Sequence, residues 1–185
     1  MEPRMQKHFD ILRRARTTMT KAADLRVLCG GRDVVVMVDD DSDLRSTVSL
    51  VLEDAGYEVI ECVDLASAYA VLTAVVPDVV LLDRELPDGS GLQLAAWMRQ
   101  QCAYDEVRIV AFTGRDSSPD IEAAMGSGCD DFVAKPCRPE ILLRGIRGTA
   151  PTKHPLGAVR SIVRRSTSSG AGRLSATARA AGRRG

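Results

Sequence analysis

Residues 34–43 read VVVMVDDDSD, five apolar residues followed by four carboxylates in the next five positions. A short, β-branched run that is apolar throughout is typical of a strand buried on both faces of a parallel sheet. Two like charges about 4 Å apart repel by about 4 kcal/mol at an effective dielectric of about 20. The stretch therefore predicts a buried strand that carries acidic side chains to a place where another group offsets their charge.

The alternation of a strand and a helix recurs along the middle of the chain. Short apolar runs are followed by segments with helical spacing, and Gly, Pro or Asp residues separate them. The predicted strands are 34–38, 57–62, 78–82, 107–112 and 131–134, and the helices after them are about 44–55, 65–72, 92–98, 119–126 and 139–148. This order predicts an α/β fold, a five-stranded parallel sheet with helices on both sides.

Polar residues come directly after four of these strands. Asp39 and Asp40 follow the first strand, Asp83 the third, Thr113 the fourth and Lys135 the fifth. Ligands of such sheets lie beyond the carboxyl ends of the strands, so these side chains should meet at one edge. Carboxylate oxygens suit Mg²⁺, while a hydroxyl and an ammonium suit a phosphoryl group. Because a carboxylate can act as a nucleophile, the sequence predicts a magnesium-dependent phospho-acceptor site.

The same motifs carry a family resemblance over residues 33–150. An acidic pair follows the first strand, D-x-x-x-P-x-x-x-G runs from Asp83 through Pro87 to Gly91, and Thr-Gly and Lys-Pro follow the last two strands. Each motif alone is weak, but the four in this order are specific. The region resembles the receiver (CheY-like) domain of bacterial two-component response regulators, whose fold is a flavodoxin-like, doubly wound (βα)5 sheet.

The resemblance implies a role for each polar residue of the site. Asp83 would be the phosphorylated aspartate. Asp40 would ligate Mg²⁺ directly, Asp39 would help partly through water, and the backbone carbonyl of Glu85 would be a further ligand beside Asp83. Lys135 would pair with the phosphoryl group. Mg²⁺ is therefore the one cofactor that the resemblance implies.

The resemblance also implies a switch. Thr113 would bond a phosphoryl oxygen, and Phe132 would be the aromatic residue that turns inward when Thr113 is drawn to that group. The peptide bond before Pro136 would be cis. Glu85 and Arg115 stand where the family tunes the lifetime of the phosphorylated state, and their opposite charges could pair across the entrance.

Some residues near these motifs have simpler interpretations or depart from the family pattern. Asp41 and Asp43 are predicted to cap and charge the start of the first helix rather than to join the site. Arg84 replaces a commonly apolar residue. Cys137 stands where phenylalanine is common, and Arg138 is a poor helix cap, which leaves the detail of the partner-binding face open.

The formal net charge of zero hides an acidic body between two basic ends. Residues 1–32 carry a net +5, residues 33–150 carry nine Lys/Arg against twenty-two Asp/Glu, and residues 151–185 carry eight Lys/Arg and no acid. We expect a basic, partly helical N-terminal arm (1–32), a receiver domain (33–150) and a disordered tail rich in Ser, Ala, Gly and Arg (151–185).

The cysteines and the hydropathy pattern indicate the compartment. The five cysteines form no C-x-x-C pair, which disfavours a structural zinc site and fits reduced thiols in a cytosolic protein. The sequence contains no apolar run of the roughly 20 residues that a transmembrane helix needs, and the first twenty residues do not resemble a signal peptide. We expect a cytoplasmic protein without a transmembrane segment.

These observations predict a response regulator of a two-component phosphorelay. It would accept a phosphoryl group from a histidine kinase or histidine phosphotransfer protein and switch a face that binds an output partner. Apart from self-catalysed phosphotransfer and autodephosphorylation, it would not be an enzyme. A phosphorylation-dependent homodimer is a further candidate assembly.

Two alternative functions stay open at this point. The receiver could control a transcriptional regulator that binds nucleic acid through the basic tail, although a solvated tail is the simpler interpretation. A haloacid-dehalogenase-like phosphatase would use an aspartate, a threonine, a lysine and Mg²⁺ in a similar way. That family needs further acidic ligands after its lysine, whereas Glu140 is the only acid after Lys135 here.

Overall fold

The computed structural model describes residues 22–114 and 116–148. In this part of the chain, the sheet has five strands whose ends lie within one residue of those predicted. The elements are α1 (Ala22–Leu28), β1 (Val34–Val38), α2 (Ser42–Asp54), β2 (Glu58–Cys62), α3 (Leu65–Ala74), β3 (Val79–Leu82), β4 (Glu85–Leu86), β5 (Gly89–Ser90), α4 (Gly91–Arg99), a 3₁₀ turn (Cys102–Tyr104), β6 (Arg108–Thr113), α5 (Ser118–Gly126), β7 (Asp131–Ala134) and α6 (Pro139–Arg147).

The main sheet has the strand order β2-β1-β3-β6-β7, and all its pairs are parallel. The inner strand β1 pairs on both sides, so that Val36 lies opposite Ile60 on β2 and Val80 on β3. The chain reverses its winding direction between β1 and β3, which is where doubly wound sheets place their ligands. The predicted flavodoxin-like fold is confirmed.

Both faces of the sheet are covered by helices. Along β1 every residue is buried, and alternate side chains enter opposite cores because successive side chains of a strand point to opposite faces. Val36 belongs to the core under α3 and α4, which includes Leu72 and Leu94. Met37 belongs to the core under α2 and α6, which includes Leu52. This explains why the strand is apolar throughout.

Two helix starts have an aspartate N-cap, and the first of these is the predicted Asp41. Asp41 is the N-cap of α2, and its side chain accepts hydrogen bonds from the backbone N–H groups of Asp43 and Leu44. Asp64 is the N-cap of α3, where it forms a capping box with Ser67. Asp41 therefore belongs to the helix start, as predicted.

Two local features differ from the sequence prediction or add to it, and a third agrees with it. The turn-rich stretch before α4 contains a two-residue antiparallel hairpin, β4–β5, that was not predicted. The N-cap of α5 is Ser117, so this helix begins at Ser118, one residue before the predicted start at 119, and Pro119 is its second residue. Arg138 is the N-cap of α6 and makes no side-chain cap bond, as expected of a poor cap.

Helix α1 lies in the stretch that the sequence assigned to the N-terminal arm. Its Leu25 is fully buried, and Cys29 just after it is 5% exposed, both in the core that covers one face of the sheet. Arg26 is ion-paired with Asp33 at 3.0 Å and with Asp78 at 2.5 Å. These contacts attach α1 to the end of the sheet where β1 and β3 begin.

Three predictions fall outside the described residues. They concern the first part of the basic arm, the basic tail 151–185 and the pairing of Glu85 with Arg115. In the part that the structure does describe, helices are too short and too polar to cross a bilayer.

Candidate functional site

The side chains of Asp39, Asp83 and Lys135 meet at the carboxyl edge of the sheet, and Asp40 and Thr113 lie at the same edge. Asp39 follows β1, Asp83 follows β3, Thr113 ends β6 and Lys135 follows β7. Carboxylate oxygens of Asp39, Asp40 and Asp83 all lie within 4.8 Å of one another. The residues that the sequence placed at one edge are thus brought together by the parallel register of the strands.

Lys135 bridges two of the three carboxylates. Its Nζ lies 2.5 Å from Oδ2 of Asp39 and 2.7 Å from Oδ2 of Asp83, and 5.2 Å from the centre of the Phe112 ring. Burial alone would lower the pKa of Lys135, but its hydrogen bonds and attraction to the two carboxylates outweigh burial and raise that pKa. The ammonium is therefore charged and offsets part of the repulsion in the acidic cluster.

Asp39 is the buried member of the cluster. It is 1% exposed, and burial raises the pKa of its carboxyl, against the opposing effect of the hydrogen bond from Lys135. Its Oδ1 accepts a hydrogen bond from the backbone N–H of Asp41 at 3.1 Å. Asp40, by contrast, is exposed. One carboxylate is thus fixed inside the protein while its neighbour faces solvent, where an ion with bound water can approach.

The loop that carries Asp83 packs closely against the start of α4. Asp83 is 9% exposed, and its backbone N–H donates to the Val38 carbonyl at 2.8 Å. A Cβ atom at Gly91 would lie 1.9 Å from the Asp83 carbonyl oxygen and 2.9 Å from Leu82. The glycine that ends the D-x-x-x-P-x-x-x-G pattern is therefore required by the close approach of α4 to the residue that begins it.

The remaining predicted residues lie on β6, on β7 and in the Asp83 loop. Thr113 is 3% exposed, and its carbonyl accepts the backbone N–H of Lys135 at 3.0 Å. Phe132 is half-buried and packs against the core under α3 and α4. The Lys135–Pro136 bond is cis, as the resemblance implies. Glu85 is exposed, and its N–H lies 3.4 Å from Oδ1 of Asp83.

Sequence reasoning missed two arginines near the site. Arg45 is buried in α2 and donates to the carbonyl oxygen of Asp39 at 2.6 Å. Arg84, which directly follows Asp83, forms an ion pair with Asp120 on α5. No local sequence signal marks either contact, because each partner is fixed only by how helices pack against the sheet. Arg84 is one of the residues at which the sequence departs from the family pattern.

Comparison with known proteins agrees with this geometry. The sequence profile of the response regulator receiver domain matches residues 35–147. The phosphate regulon transcriptional regulatory protein PhoB of Klebsiella pneumoniae is 31% identical over 122 residues, 66% of this chain and 53% of that protein. The aerobic respiration control protein ArcA of Escherichia coli is 33% identical over 125 residues, 68% and 51% of the two chains. The chain thus spans about half the length of these relatives.

Among solved structures, the chemotaxis response regulator CheY4 of Vibrio cholerae superposes with a TM-score of 0.60 at 30% identity. The match covers 63% of this chain and 97% of that one. The chain belongs to the response regulator receiver domain family. Its described region is a receiver domain of two-component signalling, homologous to those of PhoB, ArcA and CheY.

Proposed function

We propose that this protein is a response regulator that accepts a phosphoryl group on Asp83 in the presence of Mg²⁺. The observation that carries the proposal is the convergence of Asp39, Asp40 and Asp83, with Lys135 bridging two of them. Three carboxylates held together are costly unless a cation joins them, and one ammonium offsets only part of their charge. The donor would be a histidine kinase or a histidine phosphotransfer protein.

The donor atoms of the site fit Mg²⁺ and not a softer metal. Carboxylate oxygens from Asp39, Asp40 and Asp83 come within 4.8 Å of one another, and hard oxygen ligands with room for water are what Mg²⁺ prefers. The backbone carbonyl of Glu85 is the proposed fourth protein ligand. When bound, the ion would neutralise charge on the phosphoryl oxygens during transfer.

The chain's own residues supply the rest of the chemistry. An Asp83 carboxylate oxygen attacks phosphorus, the phosphorus–nitrogen bond of the donor phosphohistidine breaks, and the imidazole leaves with a proton from solvent. Lys135 can move from the Asp83 carboxylate to a phosphoryl oxygen, and the hydroxyl of Thr113 can donate to another. We propose no turnover chemistry beyond this transfer and the hydrolysis of the aspartyl phosphate.

The output of the proposed switch is a change of surface. Drawing Thr113 towards the phosphoryl group would vacate space that the half-buried ring of Phe132 can enter. The face formed by α5, β7 and α6 would then bind an output protein or a second copy of the chain. A cytoplasmic location goes with this proposal, because all five cysteines are free thiols.

Asp83→Asn tests the proposal. We expect the unchanged protein to become labelled by acetyl phosphate with Mg²⁺ and to lose the label when the ion is chelated, whereas the variant stays unlabelled. Asp88→Asn is the matched control, since Asp88 lies in the same loop and its side chain only accepts backbone N–H bonds from α3. Labelling of Asp83→Asn at the control's level would overturn the assignment.

A second candidate output is nucleic acid, because the relative PhoB is described as a transcriptional regulatory protein. In this chain the effector would be the basic segment 151–185, whose eight Lys/Arg are not balanced by any acid. A gel shift that weakens with salt and disappears when this segment is deleted would support it. Nothing in the described residues favours the phosphatase alternative, which gives Asp83 no role.

A further inference from the structure

Arg45 is a buried arginine whose side chain turns back towards the acidic cluster. It lies on the second turn of α2 and is 9% exposed. Its Nη1 donates to the backbone carbonyl of Asp39 at 2.6 Å. A buried guanidinium is costly unless its contacts are specific, so this one has a structural or functional reason to be there.

A carboxylate on β2 forms an ion pair with Arg45, although Nε of Arg45 is buried and makes no hydrogen bond to the described residues. Glu61 Oε2 lies 3.6 Å from Nε of Arg45, and the other oxygen of Glu61 accepts a hydrogen bond from the Ser49 hydroxyl at 2.7 Å. Ser49 is itself 1% exposed and lies one turn after Arg45 on α2. The guanidinium thus lies next to β2 and donates to the backbone at the end of β1.

With Arg45 in place, every polar group of Asp39 has a partner. Its N–H donates to the Cys62 carbonyl at 3.1 Å, and its carbonyl accepts from Arg45. Its two carboxylate oxygens accept from the Asp41 N–H and from Lys135. The peptide bond is planar, so fixing the carbonyl of Asp39 also fixes the N–H and the direction of the chain at Asp40.

We propose that Arg45 is a positioning residue of the divalent-cation site. It orients the Asp39–Asp40 peptide so that both carboxylates are presented to one ion before that ion binds. This inference rests on the proposed function, since it assigns Arg45 to the same site. It concerns a residue that touches neither the ion nor the phosphoryl group and acts only through Asp39.

A purely electrostatic role and a positioning role of Arg45 predict opposite changes in Mg²⁺ affinity when the residue is removed. A cation close to the cluster repels Mg²⁺, so if charge alone mattered, Arg45→Met would bind Mg²⁺ more tightly. The unbalanced charge of Glu61 would act in the same direction. If Arg45 positions the peptide, the variant binds Mg²⁺ more weakly, because two carboxylates must be ordered at the moment of binding.

The experiment measures Mg²⁺ affinity by calorimetry on the full chain. We expect Arg45→Met to bind about 10-fold more weakly, the lower end of what loss of an outer partner of a metal ligand costs. Arg45→Lys keeps the charge but loses the planar fork that reaches the carbonyl, and we expect it to bind more weakly than the unchanged protein too. Affinity in either folded variant that equals or exceeds that of the unchanged protein overturns the proposal.

Arg99→Met is the matched control. Arg99 is also a buried helical arginine that donates to backbone carbonyls, those of Gly128, Tyr104 and Val107, and pairs with Asp130. It holds no residue of the acidic cluster. We expect this variant to lose thermal stability but to keep its Mg²⁺ affinity, and an equal loss of affinity in the control would show a general effect of destabilisation and overturn the proposal.

A metal-free measurement separates this inference from the proposed function. The Asp41 N–H donates to Asp39 Oδ1, so its hydrogen exchange reports whether that carboxylate is held. We expect exchange at Asp41 to be faster in Arg45→Met without any ion, and unchanged exchange there overturns the positioning role. If the unchanged protein binds no Mg²⁺ at millimolar concentration, the proposed function fails, whatever the exchange result.

Discussion

Gly91 shows at the level of one residue how a sequence motif follows from packing. A side chain there would meet the carbonyl oxygen of Asp83 at 1.9 Å, and backbone cannot move aside as the end of a flexible side chain can. The motif glycine is therefore needed for the steric fit of α4 and not for a left-handed turn. The same contact makes α4 sensitive to any shift of the residue proposed to carry the phosphoryl group.

Gly91→Ala should lower the free energy of unfolding by about 3 kcal/mol, at the upper end of the cost of overpacking, and should slow labelling of Asp83. Urea denaturation and acetyl phosphate labelling measure the two effects. Gly126→Ala is the control, because a Cβ there meets nothing within 4 Å and alanine favours the helix. A Gly91→Ala protein as stable as the Gly126→Ala protein would contradict the steric explanation.

Lys135→Met should destabilise the metal-free protein by about 3 kcal/mol, because Asp39 would remain buried without its counter-charge. Added Mg²⁺ should stabilise this variant more than the unchanged protein, since the ion no longer competes with an ammonium for the same carboxylates. Urea denaturation with and without Mg²⁺ measures both effects. Arg147→Met is the control, because it removes an exposed cation of α6 and should change neither the stability without metal nor the stabilisation by Mg²⁺. An equal stabilisation of both variants by Mg²⁺ would count against a cation site at the acidic cluster.

At the scale of elements, the N-terminus of α3 is capped from two directions. Asp64 caps it locally, and Asp88 reaches across from the loop that follows Asp83 to accept the N–H groups of Leu65 and Ala66, each at 2.9 Å. Three of the four N–H groups that a helix start leaves unpaired are satisfied in this way. The hydrogen bonds of Asp88 connect the loop that follows Asp83 to α3 and restrict the motion of that loop.

Asp64→Ala should lower the free energy of unfolding by about 1 kcal/mol at neutral pH. Hydrogen bonds from the side chain and the backbone N–H of Ser67 hold the pKa of Asp64 below its usual value of 3.8. The stabilisation from its charge is therefore fully present above pH 3.8 and is lost as the pH falls through the lower pKa that Asp64 has in the folded protein. Denaturation across pH 2–6 should show the difference shrinking in acid, with Asp64→Asn as a control that keeps an uncharged cap.

The elements that sequence could predict are those with a local signal. Strand β1 is apolar at five consecutive positions, and Asp41 and Asp64 stand where a helix needs a cap. The convergence of Asp39 with Lys135 followed from strand ends in a parallel sheet. The packing of α1 on the core, the β4–β5 hairpin and the role of Arg45 have no such signal. Arg45 lies three and seven residues before Val48 and Leu52, on the buried face of α2, but only the packing of α2 on β1 and β2 fixes which groups it contacts.

At the scale of the whole molecule, the two edges of the sheet across which the strands begin and end carry different groups of charged residues. The carboxyl edge holds the acidic cluster, while the opposite edge is secured by ion pairs of α1 and of the segment that follows it. Arg26 joins α1 to Asp78, and Arg32 pairs with Glu58, which is 1% exposed. The helix that precedes the predicted receiver is therefore packed against the same core as the strands.

Leu25→Ala should cost about 3 kcal/mol of unfolding free energy, because Leu25 is fully buried in the core shared with β1. Val27→Ala, two residues along the same helix, should change it by less than about 0.5 kcal/mol, since Val27 is 79% exposed. Thermal or urea unfolding measures both. Equal stabilities of the two variants would mean that α1 does not contribute to the core.

Trp97 gives these experiments an optical signal. It is the only tryptophan in the sequence, and it lies on α4 in edge contact with Tyr69 on α3, 4.9 Å between ring centres, and 5.5 Å from the ring of Tyr104. Excitation absorbed by Tyr69 passes efficiently to the indole while α3 packs on α4, whereas Tyr104 is only seven residues from Trp97 along the chain. A fall in energy transfer from Tyr69 on unfolding therefore reports the separation of α3 from α4 without any added dye.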